Sequence, residues 1–294
     1  MVKRLICLLL VLMLPALALA EGTQKVFYED ETEAFPENAE LLTLGEHSML
    51  VDTGRKMQAG TVLDVLKEAG LTSVEYVFST HPHQDHLGGM IPMLEAGLGV
   101  GTFFTVFPHN YVEFIGDYEV QPETIKALEA KDIPVADLKP DDTIPFGNAE
   151  ITVLRIPDSF IETSERTCND MSAMLMVKYG DCSVLLTADV ERMDEIELAE
   201  LYDLKADILK YPHHGMSVIE PVFLDEIRPE FVFFTHGAGD THNAQVQIFN
   251  AGYERMCFAT WGTITMQTDG TKWIVKQEIL PEFTEIAEKY VYGK

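Results

Sequence analysis

The sequence predicts an α/β protein folded as an αββα four-layer sandwich, two mixed β-sheets packed face to face with helices on both outer surfaces. Three observations carry this reading. Strand-like runs take turns with segments of helical spacing along the chain. The alternation falls into two halves, each mixing tight hairpins with crossovers. Polar clusters recur where strands end, so loops from both sheets can meet on one edge.

In the first half, Ala39 to Leu44 and Ser48 to Val51 read as a strand pair around a Gly45-Glu46 turn, ending in Asp52-Thr-Gly54. Thr61 to Ala69 carries Val62, Leu63 and Leu66 at helical spacing and stops at Gly70. Val74 to Thr80 is a buried strand leading into a histidine-rich loop, after which Leu87 to Ala96 starts a helix broken by Pro92. Thr102 to Phe107 is strand-like, and Pro122 to Ala130 is a helix with proline at its start.

Beyond Pro140 strands dominate. Asp142 to Phe146 and Glu150 to Ile156 precede a hairpin, Ser172 to Tyr179 with Ser183 to Thr187, turned at Gly180-Asp181 and closed by Asp189. A helix over Glu191 to Tyr202 leads to a strand, Asp207 to Tyr211, and then to Pro212-His-His-Gly215. Pro221 to Ile227 is helical, Phe231 to Thr235 a strand running into His236, and Ala244 to Ala251 a helix. Strands at Arg255 to Ala259, Thr263 to Thr268 and Trp273 to Gln277 close the chain.

A chain of 294 residues with 47% hydrophobic content can bury one large core, and no Pro-rich or Gly/Ser-rich linker divides it. Residues 21–280 are therefore expected to form one domain, with 281–294 as a tail. Residues 1–20 read as a signal peptide: Lys3 and Arg4, an apolar run from Leu5 to Leu14, and Ala18-Leu19-Ala20 as cleavage site. The apolar run is short for a membrane span and Pro15 interrupts it, so an exported protein without stable membrane insertion is expected.

The formal net charge is −27, and losing residues 1–20 removes Lys3 and Arg4 but no acidic residue. A field of that sign repels polyanions, and the clustered Lys and Arg of a nucleic-acid surface are missing, which makes nucleic acid the lesser candidate partner. Cleavage leaves Cys168, Cys182 and Cys257, an odd number that excludes a complete disulfide framework. Oligomeric state is not legible.

The chemistry concentrates in His81-Pro-His-Gln-Asp-His-Leu-Gly-Gly89. His81, His83, Asp85 and His86 put four metal-ligand side chains within six positions, and folding alone requires no such cluster between a strand and a Gly-Gly turn. Imidazole with carboxylate suits zinc, and manganese is served by the same donors. Two histidines one residue apart can converge on one ion while the following Asp and His turn to a second. Two divalent ions sharing a carboxylate hold water between them and lower its pKa toward neutrality, which is the logic of a hydrolytic centre.

Asp52-Thr-Gly54, Thr80 to Gly89, Leu185-Leu-Thr-Ala-Asp189, Leu209-Lys-Tyr-Pro-His-His-Gly215 and Thr260 to Gly270 together resemble the metallo-β-lactamase superfamily. They look most like the branch holding the hydrolase domain of ComEC competence proteins and the phosphorylcholine esterases. The resemblance implies that His81 and His83 bind a first metal, Asp85 and His86 a second, with Asp189 bridging and His213 completing the second site. It implies for Asp52 a role in holding the histidine loop by hydrogen bonds. Asp85, His214 and His242 are the candidate catalytic side chains, His214 or His242 giving a proton to the leaving group. His236 stands beside His242 as a candidate pocket residue, whereas His47 and His109 read as solvated or lid residues.

The sequence departs from the family pattern at two points. The usual Leu-Leu-Thr-Gly-Asp has alanine at its fourth position, Ala188. Many members bring a middle histidine to the first metal, but none lies between His109 and His213, and Asn169 stands in the corresponding stretch. The expectation is an exported metal-dependent hydrolase with two divalent ions, acting as a phosphodiesterase or phosphoesterase on a small or surface-attached phosphoester. An extracellular nuclease and a silent metal-stabilised binding protein are the alternatives.

Overall fold

The computed structural model describes residues 22–26, 39–112, 120–157, 167–236, 241–253 and 255–279, together with 281 and 284. The leader at 1–20 and nearly all of the 281–294 tail lie outside the described residues. No helix among the described residues is long and apolar enough to cross a membrane.

The first half contains β1 (Gly22–Val26), β2 (Glu40–Leu44), β3 (His47–Val51), α1 (Ala59–Glu68), β4 (Ser73–Ser79), α2 (Gln84–Leu87), α3 (Met90–Glu95), β5 (Gly99–Thr105), α4 (Val120–Glu129) and β6 (Val135–Asp137). There follow β7 (Thr143–Phe146), β8 (Ala149–Leu154), β9 (Met174–Tyr179), β10 (Cys182–Leu186), α5 (Arg192–Leu201), β11 (Ile208–Lys210), α6 (Pro221–Ile227), β12 (Phe231–Phe234) and α7 (His242–Asn250). β13 (Met256–Phe258), β14 (Gly262–Thr268) and β15 (Trp273–Ile279) end the fold. Two of these, β1 and β6, have no counterpart in the sequence reading; both are short and lack an apolar run. Yet β1 pairs antiparallel with both β14 and β2, joining the chain's last strands to its first.

Pairing gives one sheet in the order β15-β14-β1-β2-β3-β4-β5-β6 and another in the order β13-β12-β11-β10-β9-β8-β7. In each, an antiparallel hairpin hands over to a parallel run: β3 to β6 in the first, β10 to β13 in the second. Side chains alternate across each strand and create three apolar layers. Leu42, Leu44, Val184 and Leu186 meet between the sheets. Leu41, Leu50 and Val77 face Val62, Val65 and Met93 of the first sheet's helices. Leu185, Leu209 and Val232 face Leu198, Phe223 and Ile248 on the other side. The αββα sandwich is thus the observed architecture.

The histidine segment differs locally from expectation. The interruption falls at Gly88-Gly89 rather than at Pro92, which sits in the first turn of α3, where a missing N–H costs nothing. Gly89 is required by close approach: a Cβ there would stand 2.2 Å from the Thr53 carbonyl oxygen. The Gly89 N–H donates to the Gly54 carbonyl at 2.7 Å, and Thr53 donates to the His86 carbonyl through its N–H at 2.6 Å and its hydroxyl at 2.9 Å. The histidine loop is thereby sutured to the turn after β3.

Two measurements follow from this packing. Gly89→Ala forces these backbones apart and is expected to lower stability by about 1–3 kcal/mol, read as a reduced denaturation midpoint at unchanged slope. On α5, the buried Glu195 accepts the Glu220 N–H at 2.6 Å, and burial pushes its carboxyl up to about 8. The folded chain then holds a proton that the unfolded chain, near 4.5, releases. Stability is full below about 4.5 and falls as pH rises through 8, by a few kcal/mol in all. Thermal unfolding from pH 4 to 9 should show this slope in the wild type and a flatter one in Glu195→Gln.

Candidate metal centre

Most polar residues of the site lie just beyond the C-terminal ends of strands, with Asp85 and His86 on α2 after β4. Asp52 follows β3, Thr80 and His81 follow β4, Asp189 follows β10 within three residues, His213 and His214 follow β11, and Thr235 and His236 follow β12. In both sheets these strands belong to or adjoin the parallel run, so their ends open on one edge.

The turns that deliver the side chains are bent. Among the described residues seven non-glycine positions have positive φ, and four are here: Asp52 at 57°, Ala188 at 49°, His213 at 44° and His214 at 56°. Each costs on the order of 1 kcal/mol, strain that survives only where surrounding bonds hold it. At Ala188 the holding bonds are visible. Its carbonyl accepts the His213 N–H at 3.1 Å and the Lys210 ammonium at 3.1 Å.

Asp52 organises the histidine loop, the part that the resemblance assigns to it. Oδ1 accepts the Thr80 N–H at 2.8 Å, and Oδ2 accepts the Thr80 hydroxyl at 2.7 Å and lies 2.7 Å from His86 Nδ1. With Nδ1–H given to Asp52, the other nitrogen of neutral His86 presents its lone pair. His86 Nε2 stands 3.1 Å from Asp189 Oδ2 and 3.9 Å from Asp85 Oδ2. His214 mirrors it: Nδ1 meets the Thr235 hydroxyl at 3.0 Å, while Nε2 lies 3.1 Å from Asp189 Oδ2 and 3.4 Å from Asp85 Oδ2. One ligand atom each from Asp85, His86, Asp189 and His214 falls within 4.8 Å of the others.

A second pair adjoins this group. His81 Nε2 lies 3.0 Å from His83 Nδ1 and 4.0 Å from Asp189 Oδ2, the oxygen already shared by the first group. The geometry therefore brings His81, His83, Asp85, His86 and Asp189 together, as the sequence grouped them. It departs at the His-His pair: His214 enters the cluster and takes the ligand position that the sequence reading gave to His213. His213 turns away, its Nδ1 3.3 Å from Glu191 Oε1 and its Nε2 3.3 Å from the Asn169 amide nitrogen. A ring fixed between Asp85 and Asp189 is ill placed to hand a proton outward, so the proton-donor role given to His214 does not suit its position. His236 lies near, its ring centroid 6.3 Å from that of His214. His242 is exposed on the first turn of α7. His47 pairs with Glu75, and the exposed His109 with Asp137.

These groups hold one another's charge. Burial would lift Asp189, but His214 and His86 keep it well below the ordinary carboxylate range. Burial would lower His86, but Asp189, Asp52 and Asp85 hold it well above its usual value; His214, likewise opposed by burial, is pushed up to about 9, chiefly by Asp189. His81 goes the other way, lowered well below its usual value by burial and by the neighbouring His86. Asp189 Oδ1 remains buried without a hydrogen-bond partner among the described residues. The donor set fits a divalent cation: carboxylate and imidazole lone pairs from separate loops point at one small volume, with outer hydrogen bonds fixing each ring.

Sequence reasoning passed over Glu191, Thr235, Lys210 and Glu40. The last two were detectable as charged residues adjoining apolar runs, Glu40 at the start of β2 and Lys210 at the end of β11; Glu191 and Thr235 carry no such mark.

A four-layer sandwich with a histidine and aspartate cluster at its strand ends defines a class of metal-centred α/β proteins. A model of the Metallo-beta-lactamase superfamily matches residues 32–259, and the chain belongs to that superfamily. Among solved structures, the metallo-beta-lactamase fold protein YhfI from Bacillus subtilis is 14% identical, with 84% of this chain and 99% of that one covered and a TM-score of 0.54. A provisionally assigned metal-dependent hydrolase from Parabacteroides distasonis is 13% identical, covering 75% and 88% of the two chains at a TM-score of 0.47. The metallo-beta-lactamase SMB-1 is 17% identical over 66% and 82%, with a TM-score of 0.41. At such identities the likeness bears on the fold alone. No curated protein matches the chain in sequence.

Asp52→Asn removes the negative partner of His86 while keeping its size. Competition with a chromophoric chelator should show zinc affinity reduced about 10–100-fold with far-UV circular dichroism unchanged. Unchanged affinity would remove Asp52 from the centre.

Proposed function

We propose that this protein is a metal-dependent hydrolase of phosphoester bonds, acting outside the cytoplasm after loss of residues 1–20, on a small or surface-attached substrate. The observation that carries the reading is the convergence of Asp85, His86, Asp189 and His214 within 4.8 Å beside the His81 and His83 pair. The motif resemblance to the ComEC-like branch and the phosphorylcholine esterases supports the choice of a phosphoester. The net charge of −27 supports a small substrate over a polynucleotide.

Asp85, His86, His214 and Asp189 would hold one divalent ion, and His81, His83 and the shared Asp189 a second. Such ions, zinc or manganese by donor type, would supply Lewis acidity toward a phosphoryl oxygen and make water a nucleophile near neutral pH. The chain's own residues do the rest. Asp52 and Thr80 keep the His86 ring in one tautomer, and Thr235 braces His214. Partly exposed His213 is held by Glu191 and by the Asn169 amide, so the three form one hydrogen-bonded edge beside the centre against which a substrate would be oriented. Asn169 stands in the stretch where the resemblance expects an imidazole, and its amide is bonded to Glu191 and His213, so the His81 side would have fewer strong ligands.

The test assays the purified chain on phosphodiester, phosphomonoester and lactam substrates, with elemental analysis alongside. Expected are bound divalent metal, phosphoester hydrolysis lost on chelation and restored by zinc or manganese, and a kcat reduced by more than about 100-fold in Asp189→Asn, beyond what outer-shell changes cause. Activity in metal-free protein, or turnover confined to the lactam, sinks the proposal. Steeply salt-dependent cleavage of DNA would move it to the nuclease alternative.

A further inference from the structure

Lys210 is fully buried, at 2% exposure, between the two sheets. It ends β11, where Ile208 belongs to the layer between the sheets and Leu209 to the outer layer, so alternation turns Lys210 inward. Glu40 lies opposite by the same argument. It shares a face of β2 with Leu42 and Leu44, is 1% exposed, and interacts electrostatically with Lys210. Lysine and glutamate are almost never fully buried unless paired, and burying such a pair stabilises a fold little or not at all. Two charged residues at the one end of the inter-sheet layer that abuts the metal centre therefore call for a role there.

The geometry supplies it. The Lys210 ammonium donates to the Ala188 carbonyl at 3.1 Å and stands 4.0 Å from Asp189 Oδ1, the oxygen that lacks a hydrogen bond. Its own carbonyl accepts the Thr187 hydroxyl at 2.5 Å. Lys210 thus touches three successive residues, Thr187, Ala188 and Asp189, and the middle one is a non-glycine residue at φ 49°. The other oxygen of Asp189 is the one that faces His86 and His214.

We propose that Lys210 is a positioning residue for the metal centre. It holds the strained Ala188 turn and draws Asp189 Oδ1 to its own side, so that Oδ2 alone is offered to the ions. Glu40 attracts the ammonium electrostatically across the same layer. The chain carries lysine and alanine together: where glycine would adopt the left-handed turn without cost, alanine needs the clamp.

The proposal rests on the metal-centre reading, and one titration separates the two. Zinc affinity of the full chain is measured by chelator competition for wild type, Lys210→Met, Lys210→Gln and Lys210→Met combined with Ala188→Gly, with circular dichroism and thermal unfolding as fold controls. Lys210→Met is expected to bind zinc about tenfold more weakly at native secondary structure. Lys210→Gln, which keeps a donor for the Ala188 carbonyl, should fall between the two and serves alone should the methionine variant not fold. Ala188→Gly should restore part of the lost affinity. If Lys210 acts merely as a nearby charge, its removal relieves repulsion and tightens binding. Equal or tighter binding in either single variant, with wild type binding normally, overturns the positioning role; a wild type that binds no ion overturns the metal centre and this role with it.

Discussion

The structure turns on one oxygen atom. Asp189 Oδ2 lies 3.1 Å from ring nitrogens of both His86 and His214, groups that arrive on loops from different sheets. Moving either sheet edge by an ångström would break the set. The packing of the sandwich therefore decides whether the centre exists, and the inter-sheet layer of Leu42, Leu44, Val184 and Leu186 fixes that distance. Close-packed interiors transmit displacement rather than absorb it. A core this rigid is what lets a site whose ligands run from His81 to His214 in the sequence keep ångström geometry.

The same atom explains where the fold spends stability. Asp52, Asp189 and the His81 and His86 rings are buried, and four residues of the site hold left-handed turns. Placing carboxylates and imidazoles together out of water is unfavourable unless positive charge meets the carboxylates. Within the chain that charge comes from the histidines themselves, His86 and His214 being held toward their protonated forms. A divalent cation would replace those protons, so metal binding and proton release are coupled. The three apolar layers outside the site carry the cost.

How much of this was legible in the sequence depended on how locally each feature is encoded. The histidine loop was legible because its donors are close in sequence and follow directly on a strand of mainly apolar residues, Ser73–Ser79. The four layers were legible because short apolar runs such as Cys182–Leu186 and helical spacing such as that in Ala59–Glu68 are local signals that take turns along the chain. Strand β1 was not, because Gly22–Val26 has no apolar run and owes its place to the partners on both sides. The helix break was placed at Pro92 because proline is the louder local signal; the cause lies in the Thr53 carbonyl, distant in sequence, which excludes any side chain at Gly89.

The choice between His213 and His214 shows where local reasoning ends. Both rings sit in one four-residue turn, both have left-handed backbones, and composition treats them alike. What separates them is that the Ala188 carbonyl captures the His213 N–H, which fixes the turn so that the next ring points inward while His213 meets Glu191 and Asn169. That hydrogen bond joins the loops after β10 and β11, which are parallel neighbours with no local link between them. The absence of a middle histidine belongs to the same geometry: Asn169 reaches the rim through Glu191 and His213, so the pair of residues that the sequence made look like a ligand and a gap form instead one hydrogen-bonded edge of the pocket. Specificity in such a site is written in which loop captures which carbonyl, and a linear pattern of ligand types records the members of the set without recording that choice.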